Sequence, residues 1–416
     1  MTQTNEATSR SSDQPLQHWR KDANRRQRPL DLTVHWQCPT SQRQRELPVQ
    51  YLCDADGSNL RAQLGQLTVP IDQPVALQSV AIGKPWGEEI WFTGMEVRGE
   101  AGIVVGNEQL PLSAYLALAP QWIHQHSDIV LLKILAPKAT AVLGDLYFEV
   151  HERKEETYVV TAIDAVAWPT GEGAIRYGVN QTLRAQYQDD EQFRSDYLLA
   201  VQAYERCRRL IDGELTSKDI RQTDDAELQG ADTQGLAAIE TQRRQHMEQF
   251  TSLLPLKVGD IVLVPPWHPH SLQHGVQVVE FQSPTYERFI ISFAQQVQTQ
   301  SNWDSATAIA RMSLEPLEPE PPLDPSLPAA ARRIADYQDF GALRINLTDA
   351  EPGYLIPAHL PYAVLICVSG RLRCGTLELA EGAACFVPAL ALQNGIASHR
   401  SDDGSQCLFL IAAPGL

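Results

Sequence analysis

The sequence predicts a mainly β protein of two small barrels, with an all-helical insert inside the first. Three observations carry this. Short period-2 runs bounded by Gly, Pro and Asp recur along most of the chain. The segment 181–251 breaks that pattern with apolar residues spaced three and four apart. Two β-rich stretches far apart in the chain each open on a Gly-Asp turn and carry histidine. They are GDLYFEVHERKEETYVV (Gly144–Val160) and GDIVLVPPWHPHSL (Gly259–Leu272).

Length and composition bound the rest. At 416 residues the chain exceeds one ordinary core, so several packed units are expected. A net charge of −17, from 34 basic and 51 acidic residues, argues against nucleic acid as a partner. No apolar run reaches the roughly 18–20 residues that cross a bilayer, so no membrane partner is expected. The N-terminal MTQTNEATSRSSDQPLQ lacks an apolar signal core, which points to the cytoplasm. The cysteines (Cys38, Cys53, Cys207, Cys367, Cys374, Cys385, Cys407) are odd in number and lack a CxxC pair. They read as reduced, mostly buried thiols.

Residues 1–29 are polar with a basic cluster (Arg20, Lys21, Arg25, Arg26, Arg28) and read as a flexible arm. From Asp31 to Val80 the runs LTVHW, PVQYLCDA, AQLGQLTVP and VALQSVAIG read as strands. Trp86 and Trp91, in GKPWGEEIWFTG, are expected beneath the barrel, with the alternative that one walls a ligand pocket. Pro111–Ile123 has helical spacing. His124 and His126 alternate but sit at a turn, so they read as solvated or capping. Lys133 interrupts the apolar run IVLLKIL. A lysine in a buried strand needs a partner or a functional pocket, which places it near the site. Strand is expected to continue over Thr161–Trp168. The strand pattern resumes at 252. The segment 314–328, LEPLEPEPPLDPSLP, is a Pro-rich linker. The first barrel therefore spans 30–180 and 252–313, with extra N-terminal strands, and the second spans 329–416.

The candidate site lies in the two Gly-Asp stretches. Residues two apart in a strand share a face, so Glu149 and His151 project together. After a tight turn, Glu156 enters the next strand beside His151. PPWHPH bends so that one histidine faces inward: His270, with His268 as the alternative. Two histidines with one or two carboxylates suit a divalent ion such as zinc, manganese, iron or nickel. Without a metal, the same residues would be a hydrogen-bonded His-carboxylate cluster. Arg288 precedes the apolar run FIISF and would favour an anionic substrate or a developing oxyanion. Its structural alternative is an ion pair with Glu280. Lys154 reaches either solvent or the site.

At LLKILAP, Glu149–His151, Lys154–Glu156, GDIVLVPPWHPHSL, Glu280 and Arg288 the chain resembles the cupin superfamily, and within it the type I mannose-6-phosphate isomerases. The order of strands, helical insert, second histidine, linker and C-terminal β unit is similar too. The resemblance covers about residues 80–416. It makes both units cupin (jelly-roll) barrels. It implies one Zn2+ held by Glu149, His151, Glu156 and His270. It also implies Arg288 as the active-site arginine, Lys154 as the lysine of the K-x-E pair, and aldose–ketose isomerisation of a sugar phosphate through a cis-enediol. Glu149 stands where the family has Gln, which adds a negative charge to the metal shell. Only residues 152–155 separate His151 from Glu156, where the family has a long insertion lining its substrate pocket. The C-terminal barrel keeps His359 without companion ligands and is expected to hold no metal. The rival readings are a non-catalytic sugar-binding cupin and another cupin metalloenzyme, such as an oxygenase.

Overall fold

The β-branched runs LLKILAP, ETYVVTAI and VQVVEFQ form the adjacent strands Leu131–Pro137, Glu156–Ile163 and Val276–Gln282. In the computed structural model, residues 10–125, 128–220, 225–293, 303–400 and 406–416 are described. The three strands pair antiparallel in a six-stranded sheet with Ile261–Val264 on one side and Gly87–Trp91, then Val80–Lys84, on the other. A five-stranded sheet contains Thr251–Leu256, Gly173–Val179, His270–Leu272, Phe148–Val150 and Phe289–Ser292, in that order. Between the sheets lies an apolar core that includes Trp86, Leu135, Tyr158, Val160, Ile175, Val262 and Val278. Register decides where that core stops. Leu135 and Val278 are paired, and two residues along the same face Lys133 pairs with Glu280. One end of the space between the two sheets is thus dry and the other carries charge. Burying each large apolar side chain contributes about 1.5–3 kcal/mol, which gives the dry end the means to hold the charged end together.

The strand Glu156–Ile163 stops short of Trp168. Asp164 turns the chain, accepting from the N–H groups of Val166 and Ala167, and Trp168 Nε1 donates to His274 O at 2.6 Å. Between Gly173–Val179 and Thr251–Leu256 lie the helices Asp190–Ile211 and Thr233–Glu248. Asp189 and Asp232 cap them by accepting from Gln192 N and Gly235 N. Phe193, Tyr197, Val201, Tyr204, Met247 and Phe250 pack with Phe148 and Ile291 of the five-stranded sheet.

The C-terminal strands make an eight-stranded sheet and a four-stranded sheet around Leu343, Ile345, Leu365, Leu372 and Phe409. Three strands of the larger sheet come from the N-terminal half: Val75–Gln78, Gly102–Val105 and Glu108–Pro111. Cys385 pairs with Ala76 and Phe386 with Val75. This differs from the expected assignment of all of 30–180 to the first unit. Val75–Gln78 covers an edge that the C-terminal strands would otherwise leave open, with Gly102–Val105 and Glu108–Pro111 beyond it.

The expected flexible arm over residues 1–29 is also corrected. Residues 1–9 lie outside the described residues, but Arg10–Lys21 is a helix. Its Leu16 and Trp19, three apart, are buried with Val34, Val49 and Tyr51 of a separate four-stranded sheet over residues 30–70. Two apolar anchors at helical spacing outweigh a polar average. Asp13 of this helix is buried, and burial pushes its carboxyl up to about 6 against a backbone hydrogen bond from Gln121. A raised acid pKa stabilises below the unfolded value of 3.8 and loses that contribution as pH rises through about 6. Asp13→Asn is therefore expected to raise stability at pH 7.5 by on the order of 1–2 kcal/mol and to leave it little changed at pH 4. Thermal unfolding at the two pH values checks this.

The two Gly-Asp turns need glycine for different reasons. A Cβ on Gly144 would lie 2.0 Å from Lys138 O and 2.8 Å from His274 Cβ. Gly259 has φ +95° with nothing nearer than Arg344 Nη1 at 3.8 Å. Gly144→Ala is expected to cost about 3 kcal/mol through overpacking, and Gly259→Ala about 1 kcal/mol through its left-handed backbone. Denaturant midpoints of the two variants would rank them.

Candidate metal centre

Backbone pairing brings the site together. Glu149 stands directly opposite His270, and Tyr177 flanks His270 on its other side. His151 follows two residues after Glu149, and Glu156 begins the strand of the opposing sheet. Glu149, His151 and His270 each offer a ligand atom, all within 4.8 Å of one another. His151 Nε2 is 3.5 Å from Glu149 Oε1 and 3.6 Å from Glu156 Oε2, and His270 Nε2 is 3.3 Å from Glu156 Oε2. The structure thus brings the four expected ligands to one place. Glu156 has other partners as well. Its Oε1 lies 2.6 Å from Lys154 Nζ, and its Oε2 accepts from Tyr158 Oη at 2.7 Å.

The donors fit a divalent cation by a second observation. His151 is buried, yet neither ring nitrogen has a hydrogen-bond partner, and Glu149 Oε2 is likewise buried and unpartnered. Buried polar atoms of native proteins are nearly always satisfied, so an unpartnered imidazole nitrogen and an unpartnered carboxylate oxygen in one cluster fit a cation held between these side chains. Burial, with help from the Lys154 charge, lowers the His151 imidazole to about 4 and keeps it in the neutral, ligating form. Burial opposes ionisation of Glu156, but Lys154 and His151 outweigh it and hold the carboxyl well below its usual range. His270 Nδ1 meets His268 O at 3.0 Å, which leaves Nε2 free to face the site. His268 itself packs its ring 4.1 Å from Tyr177, and its Nε2 lies outside the cluster.

A row of buried charges continues from the ligands. Lys133 Nζ is 3.5 Å from Glu280 Oε1 and donates to Gln282 Oε1. Burial pushes Glu280 up to about 8, Lys133 opposing and Glu156 adding to the rise. Lys133 is therefore beside the site, as its place in an apolar run suggested. Glu280 pairs with it, and Arg288 instead lays its guanidinium 4.5 Å above the Tyr147 ring. Trp86 is in the dry core, whereas Trp91 is paired with Lys133 and packs 6.1 Å from Tyr286. Of the two tryptophans, Trp91 is on the charged side.

Sequence reasoning missed Lys84 and Glu89. Lys84 Nζ is 3.1 Å from Glu89 Oε1, and Glu89 Oε2 accepts from Trp91 Nε1 at 2.7 Å. Against burial, Lys133 and Lys84 hold Glu89 down to about 2. The available signal was a lysine and a glutamate flanking a tight Pro-Trp-Gly turn. His126 lies outside the described residues, and His124 follows the short helix Pro120–Ile123 as its C-cap. His359 is exposed and meets Gly415 O, far in sequence from any partner ligand.

No protein-family model matches the chain, and no curated protein matches it. Solved structures do. The mannose 6-phosphate isomerase from Bacillus subtilis aligns with TM-score 0.55 and 12% identity, over 82% of this chain and 99% of that one. A zinc-bound holo mannose 6-phosphate isomerase aligns with TM-score 0.57 and 12% identity, over 83% and 100%. The apo form from Salmonella typhimurium gives 0.56, 12%, 83% and 100%. Those chains are matched end to end while part of this one extends beyond them. This chain has the cupin fold of the type I mannose-6-phosphate isomerases.

Proposed function

We propose that the protein is a metal-dependent aldose–ketose isomerase acting on a sugar phosphate. The observation that carries this is the convergence of Glu149, His151 and His270, with Glu156 alongside, from strands remote in sequence. The fold shared with mannose 6-phosphate isomerases supports it. Zn2+ is the favoured ion, with Mn2+, Fe2+ and Ni2+ compatible with the donor set. A divalent ion held there supplies Lewis acidity to a substrate oxygen and so acidifies the neighbouring C–H.

The chain's own residues do the rest. Lys154, at 2.6 Å, keeps Glu156 ionised and fixed beside both imidazoles. Arg288 is half-buried at the charged end, where its guanidinium would meet the anionic group or developing charge of the substrate. Lys133 and Glu280 form a buried pair 3.5 Å apart, an ammonium beside a carboxyl that burial raises to about 8. That pair suits proton transfer at the substrate carbons.

Purified protein should contain close to one divalent ion per chain by elemental analysis. In D2O it should exchange the C2 proton of an aldose phosphate, or a C1 proton of the ketose phosphate, with solvent, and a chelator should stop the exchange. Sugar binding that survives metal removal, without any exchange, would support a binding protein instead. Oxygen uptake with iron would support an oxygenase.

A further inference from the structure

Trp267 has φ +60°, in the left-handed region where a bulky aromatic side chain is an outlier. Such a conformation persists only where its surroundings over-determine it. Here they do. The Trp267 N–H donates to His151 O at 2.6 Å, and its carbonyl accepts from Ser313 N at 2.7 Å. The indole ring lies 5.4 Å from Phe289, and the Arg311 guanidinium sits 4.0 Å above it. Arg311 also reaches back to Glu152, the residue after His151, at 2.7 Å. Trp267 thereby ties the loop before His270 to the His151 segment through its backbone, and to the helix Ser305–Arg311 and the strand that follows Arg288 through its ring.

The consequence reaches the ligands. Turning the chain at 267 places the His268 carbonyl where it meets His270 Nδ1 at 3.0 Å. That contact sets the ring so that Nε2 faces Glu156. The outer partner of a ligating imidazole fixes its tautomer and orientation. The first tie from Trp267 is to the backbone of the other histidine ligand. We infer that Trp267 is a positioning residue for the metal centre: its clamped indole holds a left-handed turn that aims His270 and locks it to His151. This rests on the reading of the cluster as a metal centre.

The obvious substitution is informative because glycine relieves the backbone while deleting the clamp. Trp267→Gly should fold, and its zinc affinity in chelator competition should fall about tenfold or more, the size seen for lost outer partners of metal ligands. Trp267→Phe, which keeps a ring against Phe289, should stay within about threefold of wild type. In metal-free protein, backbone hydrogen exchange over residues 265–272 should speed up in Trp267→Gly and not in Trp267→Phe. Wild-type zinc affinity in Trp267→Gly overturns the inference, whatever the exchange shows. A wild-type protein that takes up no divalent ion overturns the proposed function instead, and unaltered exchange in Trp267→Gly would then overturn the clamp as well.

Discussion

His151→Ala is expected to lower bound divalent metal below about a tenth of wild type and to abolish metal-dependent proton exchange, a loss of at least about 10³-fold. Removing the ring takes away the imidazole that lies within 3.6 Å of both carboxylates and leaves Glu149 and Glu156 facing a gap. The stability outcome is less obvious. His151 is 1% exposed, and truncation of so buried a side chain ordinarily costs several kcal/mol. Yet both its nitrogens are unpartnered in the metal-free protein. Deleting unsatisfied polar atoms returns part of the packing loss. The metal-free variant should therefore melt within a few degrees of metal-free wild type. The difference should appear on adding zinc. At a hundredfold excess over its dissociation constant, zinc should stabilise wild type by about 2.7 kcal/mol and the variant by close to nothing. Calorimetry of both proteins with and without zinc checks this. Equal zinc shifts would remove the metal centre.

The cluster residues were legible because strand geometry is simple. Two residues on one strand share a face, which placed Glu149 with His151 without any tertiary knowledge. The choice of His270 over His268 had no such warrant from periodicity. It depends on a left-handed turn at Trp267, which the residue type does not announce. Lys133 was legible as a charge in an apolar run, but its partner was not. Arg288 was the partner expected for Glu280 in sequence, and only strand register, Lys133 opposite Glu280, supplies the other one. The same limit explains the strands between 75 and 111. A short alternating run states that it is a strand and is silent on which edge it joins. The N-terminal helix was lost to averaging. Its composition is polar and basic, while its apolar docking is through Leu16 and Trp19.

Lys133→Met is the second variant with a large expected effect, and it separates catalysis from folding. Methionine matches the length of the lysine stem and leaves the ammonium out. Lys133 is 6% exposed, and its loss would ordinarily strand a buried carboxylate. Glu280 escapes that penalty because burial has already pushed its carboxyl up to about 8, so at neutral pH it can take up a proton and stay neutral. Glu89 keeps Lys84 at 3.1 Å and the Trp91 indole N–H. The fold and the metal content should therefore survive, with stability within about 1–2 kcal/mol of wild type. Proton exchange should not survive. Losing a positioned acid–base group costs about 10²–10⁴-fold, so turnover should fall by at least about a hundredfold at unchanged zinc content. Glu280→Gln gives the complementary result, since it keeps the ammonium but removes the titrating carboxyl beside it. If turnover in both variants stays within a few-fold of wild type, the buried pair is structural, and the proton must move through another group.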